Sequence, residues 1–317
     1  MPSFDDLLAC PRCGGLLRAL RCEACPAQYD APGGIPDLRL PADARTEQVR
    51  GFYMAAPFPG YAPEETYCGL RARASRSPFA RSLDAAIPGD GTVLEMGCGT
   101  GQLSLFLASA DRVVVGADLS RASLELARGA AERFGVGGAR FVETDVRAPG
   151  LRREGFDVVI CNGVLHHTPD PRASFAALSR LVRPGGIVVV GVYNAVARMP
   201  VRARRLVARL SGYRWIPGDP VLRERQSEPG RRAAWVRDQY QHVEEHRHTI
   251  GEVRAWFRDA GLTWVRAYPS TLLGGEANEM FAQEDDWGLE RALAQIVWMR
   301  TLGREGGVFA AVGAKPC

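Results

Sequence analysis

No apolar run in this chain of 317 residues approaches the length that a membrane-spanning helix needs. No segment is therefore expected to cross a bilayer as a helix. A basic leader is lacking as well: Met1 to Leu8 carries Asp5 and Asp6 where a secretory signal would be positively charged, so the expected location is the cytoplasm. Nor is there a strong excess of one charge. The 40 basic residues against 36 acidic ones give +4, a balance that does not call for nucleic acid as a partner. Internal repeats and low-complexity tracts are also missing, which sets aside repeat arrays. What remains is an ordinary globular composition, 46% hydrophobic and 24% charged, with length for one large domain and a smaller one.

Eight cysteines in a chain expected in the cytoplasm read as metal ligands or free thiols before they read as disulfides. Cys10, Cys13, Cys22 and Cys25 form two C-x2-C knuckles that can deliver four thiolates to a tetrahedral zinc. Gly14 and Gly15 free the backbone to turn round the first knuckle. With all four ligand positions filled by protein, the zinc is expected to be structural, stabilising a segment too small to fold on its core alone. A reduced, metal-free ribbon is the alternative.

The stretch Val93-Leu94-Glu95-Met96-Gly97-Cys98-Gly99-Thr100-Gly101-Gln102 carries most of the information. A β-branched apolar run ending in an acid and three alternate glycines, then opening onto the apolar-rich Leu103 to Ala110, predicts a strand, a tight turn and the start of a helix. A pyrophosphate fingerprint would need G-x-G-x-x-G; here the third glycine comes one residue early. Glu95 at the strand end would repel a diphosphate and suit an ammonium or sulfonium. The expected ligand is a nucleoside bearing positive charge.

From Val93 to Gly191 the chain resembles the class I S-adenosylmethionine (SAM)-dependent methyltransferases, with five motifs in the family's order. The resemblance implies cofactor contacts from Glu95, Gly97, Gly99, Gly101 and Gln102 in the turn. It also implies them from Asp118 with Leu119 after a second strand, Val113 to Ala117, where the acid accepts both ribose hydroxyls. Phe141 to Val146 puts Asp145, with Val146, at the adenine amino group. Phe156 to Cys161 is a fourth strand, and Asn162, Gly163, Val164, Leu165, His166 and His167 form the loop beside the reactive methyl. Leu181 to Gly186 and then Ile187 to Val192 match a helix end, a turn and the fifth strand. Thr249 to Ala260 is expected as a helix, Leu262 to Tyr268 as a strand, Trp287 to Leu302 as a helix and Val308 to Val312 as a last, antiparallel strand. The implied fold is α/β, a Rossmann-like seven-stranded class I methyltransferase sheet.

Around Cys10 to Cys25 and on to Leu38, the chain resembles the small zinc-ribbon subunits that activate methyltransferases. A similar ribbon fronts bacterial ribosomal-RNA guanine methyltransferases. The expected organisation is a zinc-ribbon domain at 1–40, a linker with N-terminal lid helices at 41–90 and a methyltransferase domain at 91–317. An α-helical insertion at 194–248 is expected to form part of the substrate cover.

Tyr53, Phe58 and Tyr61 are the lid candidates and Tyr193 a further substrate contact. Of the loop histidines, His166 is the first candidate for general base, because similar enzymes aim that position at the active site, and His167 the second. Asp170 is expected to cap a helix from Pro171 to Val182. Val196 to Leu210 spaces Arg198, Arg202, Arg205 and Arg209 as an amphipathic basic helix, either a solvated cover, an attractor of acidic substrates or a membrane-surface contact near a lipophilic substrate. His242, His246 and Glu245 make only a weak metal pattern. The function expected is transfer of a methyl group from SAM to a small-molecule, lipophilic or secondary-metabolite acceptor. An RNA base methyltransferase and a non-catalytic SAM-binding partner subunit are the alternatives. The sequence is silent on oligomeric state.

Overall fold

The computed structural model describes residues 2–55, 57, 59–109, 111–224, 228–242, 244–272 and 279–317. In the N-terminal ribbon, β1 (Leu17–Arg18) and β2 (Arg21–Cys22) pair antiparallel between the two cysteine knuckles. Three helices follow: α1 (Ala44–Met54), α2 (Tyr67–Ala74) and α3 (Pro78–Ala86). Each is started by a side chain that accepts from the first turn: Asp43, Thr66 and Ser77.

The alternation of β3 (Thr92–Met96), α4 (Gln102–Leu107), β4 (Val113–Asp118), α5 (Arg121–Phe134) and β5 (Ala139–Glu143) builds the first half of a parallel sheet. The second half is β6 (Phe156–Asn162), α6 (Pro171–Ser179) and β7 (Val182–Tyr193). The insertion contributes α7 (Met199–Leu210), α8 (Pro220–Glu224) and α9 (Pro229–Gln241). The chain then returns through α10 (Ile250–Asp259), β8 (Thr263–Tyr268), α11 (Gly288–Thr301) and β9 (Val308–Ala314). Strand order is β5-β4-β3-β6-β7-β9-β8, with β9 antiparallel to both neighbours. This is the seven-stranded sheet expected, and its order reverses between β3 and β6, where ligands of open α/β sheets bind.

Boundaries move where the sheet competes with a helix. α6 ends at Ser179, short of Val182, because Leu181 already accepts from Phe156 N (3.2 Å) and Val182 already pairs with Phe156. Asp170 caps α6 as expected, accepting from Ala173 N at 2.9 Å. α4 stops at Leu107, and Ala110 lies outside the described residues.

The ribbon shares the core of the sheet. Leu7, Leu8, Cys10, Leu17 and Leu38 belong to one buried cluster with Leu94, Val142, Phe156 and Val159. Backbone bonds run from Ala9 N to Gly150 O (3.1 Å) and from Arg152 N to Leu7 O (2.8 Å). Past the ribbon, Leu38 N donates to Glu143 O and Glu143 N to Pro36 O, which lays residues 36–38 beside β5 in parallel. Among the described residues no helix is long and apolar enough to cross a membrane.

Because Leu8 is buried in the sheet's own cluster, Leu8→Ala should lower the stability of the whole fold by roughly 2–5 kcal/mol. Urea unfolding followed by far-ultraviolet dichroism should show one transition at a lower midpoint. An unchanged sheet transition beside a separate ribbon transition would contradict the shared core.

Candidate active site

At the carboxyl ends of β3, β4 and β6 lies a cavity of about 400 Å³. Its floor is the glycine turn. Gly97 has φ +77°, and a Cβ there would lie 2.1 Å from Val164 Cγ2, so only glycine lets the turn pass beneath the loop after β6. Gly163, also at positive φ, lines the cavity facing open space.

Asp118 closes one side. Its Oδ2 accepts from Gly99 N and its Oδ1 from Ser120 N, both at 2.8 Å, which fixes the carboxylate at the strand end. Burial pushes its carboxyl above the ordinary range, against those backbone donors. Leu119, Asp145, Val146, Asn162 and Gly163 share this wall. Asp145 is paired with Arg147 at 2.8 Å, and Arg147 reaches on to Asp43, the cap of α1.

Glu95 does not line the cavity. Strand alternation puts Leu94 and Met96 toward one face and Val93 and Glu95 toward the other. Met96 lines the cavity, whereas the Glu95 carboxylate is buried against α4 and bonded to the Ser104 hydroxyl. Burial pushes it up to about 8. Charge attraction from Glu95 to a cationic ligand is therefore not what this geometry provides. The carboxylates in the wall are Asp118, Asp145 and Asp238. Gly101 and Gln102 also lie outside the lining: Gly101 packs under Ala127 and Phe141, and Gln102 reaches back to Gly60 O.

Of the two loop histidines, the second candidate and not the first reaches the cavity wall. His166 is outside the cavity wall, stacked on Tyr193 at 3.6 Å, with its Nδ1 accepting from Tyr193 N (3.2 Å) and its carbonyl accepting from His246 N. His167 lines the cavity. Its Nδ1 lies 2.7 Å from Glu244 O, and since a carbonyl only accepts, Nδ1 carries the proton and Nε2 keeps the lone pair. Burial pushes His167 down to about 4 and His242, stacked on it at 3.6 Å, to about 3. Both rings are neutral at neutral pH.

Of the aromatic candidates, Tyr53 lines the cavity from α1, with its hydroxyl 3.2 Å from His242 Nε2. Tyr61 lies over the turn from outside, donating to Thr100 O at 2.5 Å. Tyr193 is sealed behind the cavity, its ring capped by the Arg198 guanidinium at 3.4 Å and its hydroxyl accepting from Gln239, so it is no substrate contact. Phe58 lies outside the described residues.

The roof comes from the two segments expected to cover the site, 41–90 and 194–248, through residues that, apart from Tyr53, no motif marked. α1 lends Thr46, Val49 and Phe52, and α9 lends Ala234, Trp235, Arg237 and Asp238. Arg237 stacks on Phe52 at 4.2 Å and donates to its carbonyl, joining the two helices above the cavity. The available signal was Asp238, the one acid in a basic and aromatic helix.

The basic helix is more than a solvated face. Arg198, fully buried, forks onto Glu245 at 3.1 and 3.0 Å, and Arg205 joins it at 2.8 Å. Those bonds also occupy Glu245, and among the described residues the only metal-ligand cluster is the cysteine set. There the four Sγ atoms lie within 4.8 Å of one another, with Cys10 to Cys25 at 3.7 Å and Cys13 to Cys22 at 3.5 Å. A zinc with sulfurs at ~2.3 Å sets its tetrahedral edges at about 3.8 Å, so the donor set fits. A Cβ on Gly15 would come within 3.0 Å of Cys22 Sγ.

Residues 94–190 match the family described as "Methyltransferase domain". An uncharacterised protein of Synechococcus is 28% identical over 266 residues, 73% of this chain and 64% of its own length. A Mycobacterium bovis uncharacterised methyltransferase is 38% identical over 109 residues, 34% of this chain and 54% of its own length. A ubiquinone biosynthesis O-methyltransferase of Cereibacter sphaeroides is 33% identical over 141 residues, 44% of this chain and 56% of its own length. The matches thus span 54% to 64% of these relatives. Among solved structures, a chain of the complex between the Haloferax volcanii Trm112 methyltransferase activator and a methyltransferase superposes with TM-score 0.50 at 18% identity, covering 88% of this chain and 100% of that one. Magnesium protoporphyrin IX methyltransferase of Synechocystis gives 0.50 at 17%, covering 85% and 99%. These two share the fold.

Burial of His167 makes a pH signature. The unfolded chain protonates this ring near pH 6.5 and the folded chain near 4, so its contribution to stability is complete above ~6.5 and is lost as pH falls toward 4. Glu95, Asp118 and Asp238 are shifted upward and act in the opposite sense, losing stability as pH rises. The comparison that isolates the histidine is wild type against His167→Gln. Relative to the variant, wild type should lose about 2 kcal/mol between pH 7 and pH 5, at 1.36 kcal/mol per unit below 6.5. A difference independent of pH in urea unfolding would show that His167 is not buried neutral.

Proposed function

We propose that this chain is a class I SAM-dependent methyltransferase that methylates a small, lipophilic acceptor, with His167 as its general base; the match of residues 94–190 to the methyltransferase domain family supports the reading. The carrying observation is the single cavity that runs from the glycine turn and Asp118 to His167 beneath α1 and α9. SAM, when bound, supplies an electrophilic methyl group on a sulfonium. Asp118 would accept from the ribose hydroxyls, Asp145 would meet the adenine amino group while held by Arg147, and the backbone of Gly97 and Gly99 would leave room for the rest. The fit rests on the missing side chain of Gly163, which leaves open space in the cavity wall, and on Asp118 and Asp145 beside it.

The acceptor's end of the cavity is lined by Val49, Phe52, Tyr53, Val164 and Trp235, a surface suited to an apolar or aromatic molecule. The relationship to ubiquinone biosynthesis O-methyltransferases points the same way. His167 Nε2 would take the proton of an acceptor hydroxyl, leaving the oxygen to attack in line. With substrate bound, α1 and α9 would limit the access of water. Asp238 and Tyr53, both shifted upward by burial, would orient the acceptor by hydrogen bonds. We assign zinc to Cys10, Cys13, Cys22 and Cys25 in a structural role.

Asp118→Ala should weaken SAM binding roughly ten- to a hundredfold in calorimetry, from the ~1.5–3 kcal/mol of a charge-assisted hydrogen bond. His167→Gln should keep SAM binding and lower kcat by about 10²–10⁴ on a phenolic or quinol acceptor, read as S-adenosylhomocysteine release. Equal turnover by the glutamine variant would remove His167 as base. Salt-sensitive binding of labelled RNA with methyl transfer to it would replace the small-molecule reading.

Purified protein should carry one equivalent of zinc by elemental analysis. Cys25→Ser should lose it and lower the thermal midpoint, and a chelator should do the same. Metal-free protein with an unchanged midpoint would refute the assignment.

A further inference from the structure

We propose that the outer face of α7 and the loop after it form a docking surface for an anionic lipid bilayer. The inference deepens the lipophilic-acceptor reading and rests on it for its purpose: the acceptor would be drawn from the membrane.

α7 divides into two faces. Val201 and Ala208 are buried, and with Tyr240, Tyr213, Ile216 and Trp235 they form a small cluster joining α7 to α9. Trp235 also lines the cavity, so the helix sits one layer from the acceptor's end. On the opposite face Met199, Leu206 and Leu210 are 53%, 63% and 83% exposed, and Trp215 just beyond is 62% exposed. Arg202, Arg209 and Arg214 stand exposed among them.

The charge pattern selects the occupant. Between residues 194 and 218 there are six arginines and no acidic residue. Arg198 and Arg205 turn inward to Glu245, whereas Arg202, Arg209 and Arg214 form no ion pair among the described residues. An isologous contact with a second copy would set these arginines against themselves, which disfavours a dimer through this face. An anionic headgroup layer complements them. Leu206 and Leu210 can enter the acyl boundary, and an exposed tryptophan suits the interface.

The test is flotation of the full chain with phosphatidylcholine vesicles with and without phosphatidylglycerol, at low and high salt. The protein should float with the anionic vesicles only, and less at high salt. Arg202→Gln/Arg209→Gln/Arg214→Gln should bind roughly a hundredfold less, from the about fivefold that each arginine contributes beside an anionic leaflet. Leu206→Ser/Leu210→Ser/Trp215→Ser should also fail to float. Both variants should retain wild-type SAM affinity in calorimetry, which shows that they fold and separates this result from the methyl-transfer reading. No flotation of wild type, equal flotation with neutral vesicles, or unchanged flotation of either variant would overturn the proposal. So would a dimer in light scattering that the serine variant abolishes.

Discussion

The N-terminal wall of the cavity depends on one buried carboxylate. Glu143, at the end of β5 and 1% exposed, receives Arg121 of α5 at 2.5 Å, Arg39 at 2.9 Å and Arg50 of α1 at 3.5 Å. A lone charge there would be strongly unfavourable, and removing one partner of such a buried pair costs about 3–5 kcal/mol. With three guanidiniums the same charge becomes a tether. Through Arg50 it ties α1, which carries Phe52 and Tyr53 to the cavity, to the end of β5.

The opposite wall uses the same device. Glu245 is gripped by Arg198 and Arg205, and Arg205 also donates to the carbonyls of Tyr240 and His242, the end of α9. The segment so anchored carries Glu244, whose carbonyl orients His167. Charge is thus settled behind the walls, which lets the histidines on the cavity side stay neutral. A protonated His167 stacked on His242 would have to share a buried space with Arg198 and Arg205, both of which oppose its charge.

These two tethers explain what could and could not be read from the sequence. The sheet was legible because its strands are apolar runs punctuated by glycine and acid, and Asp118, Asp145 and the loop after β6 came with it. Periodicity also finds α10, expected over Thr249 to Ala260 and observed over Ile250–Asp259, with Thr249 as its cap. The direction of a side chain at a strand end was harder: Glu95 and Met96 are neighbours on opposite faces, and only the packing of α4 decides which one meets the cavity. His166 and His167 differ by one residue in a short turn, and the partners that separate them, Tyr193 and Glu244, lie far along the chain. Glu143 and Glu245 belong to no local pattern, because their arginines come from other elements. The helical cover over 194–248 was legible, but which residues of α9 face the cavity was hidden for the same reason.

The ribbon is joined to the same tether. Its leucines lie in the sheet's core, and the chain leaving it pairs with β5 through Pro36 and Leu38 on either side of Glu143. Arg39, the next residue, is one of the three that hold the Glu143 carboxylate. Residues 36–39 thus connect the cysteine ribbon to the carboxylate that also holds Arg50 of α1. A four-thiolate site with no open position for chemistry can still shape the cavity, by fixing where its wall begins.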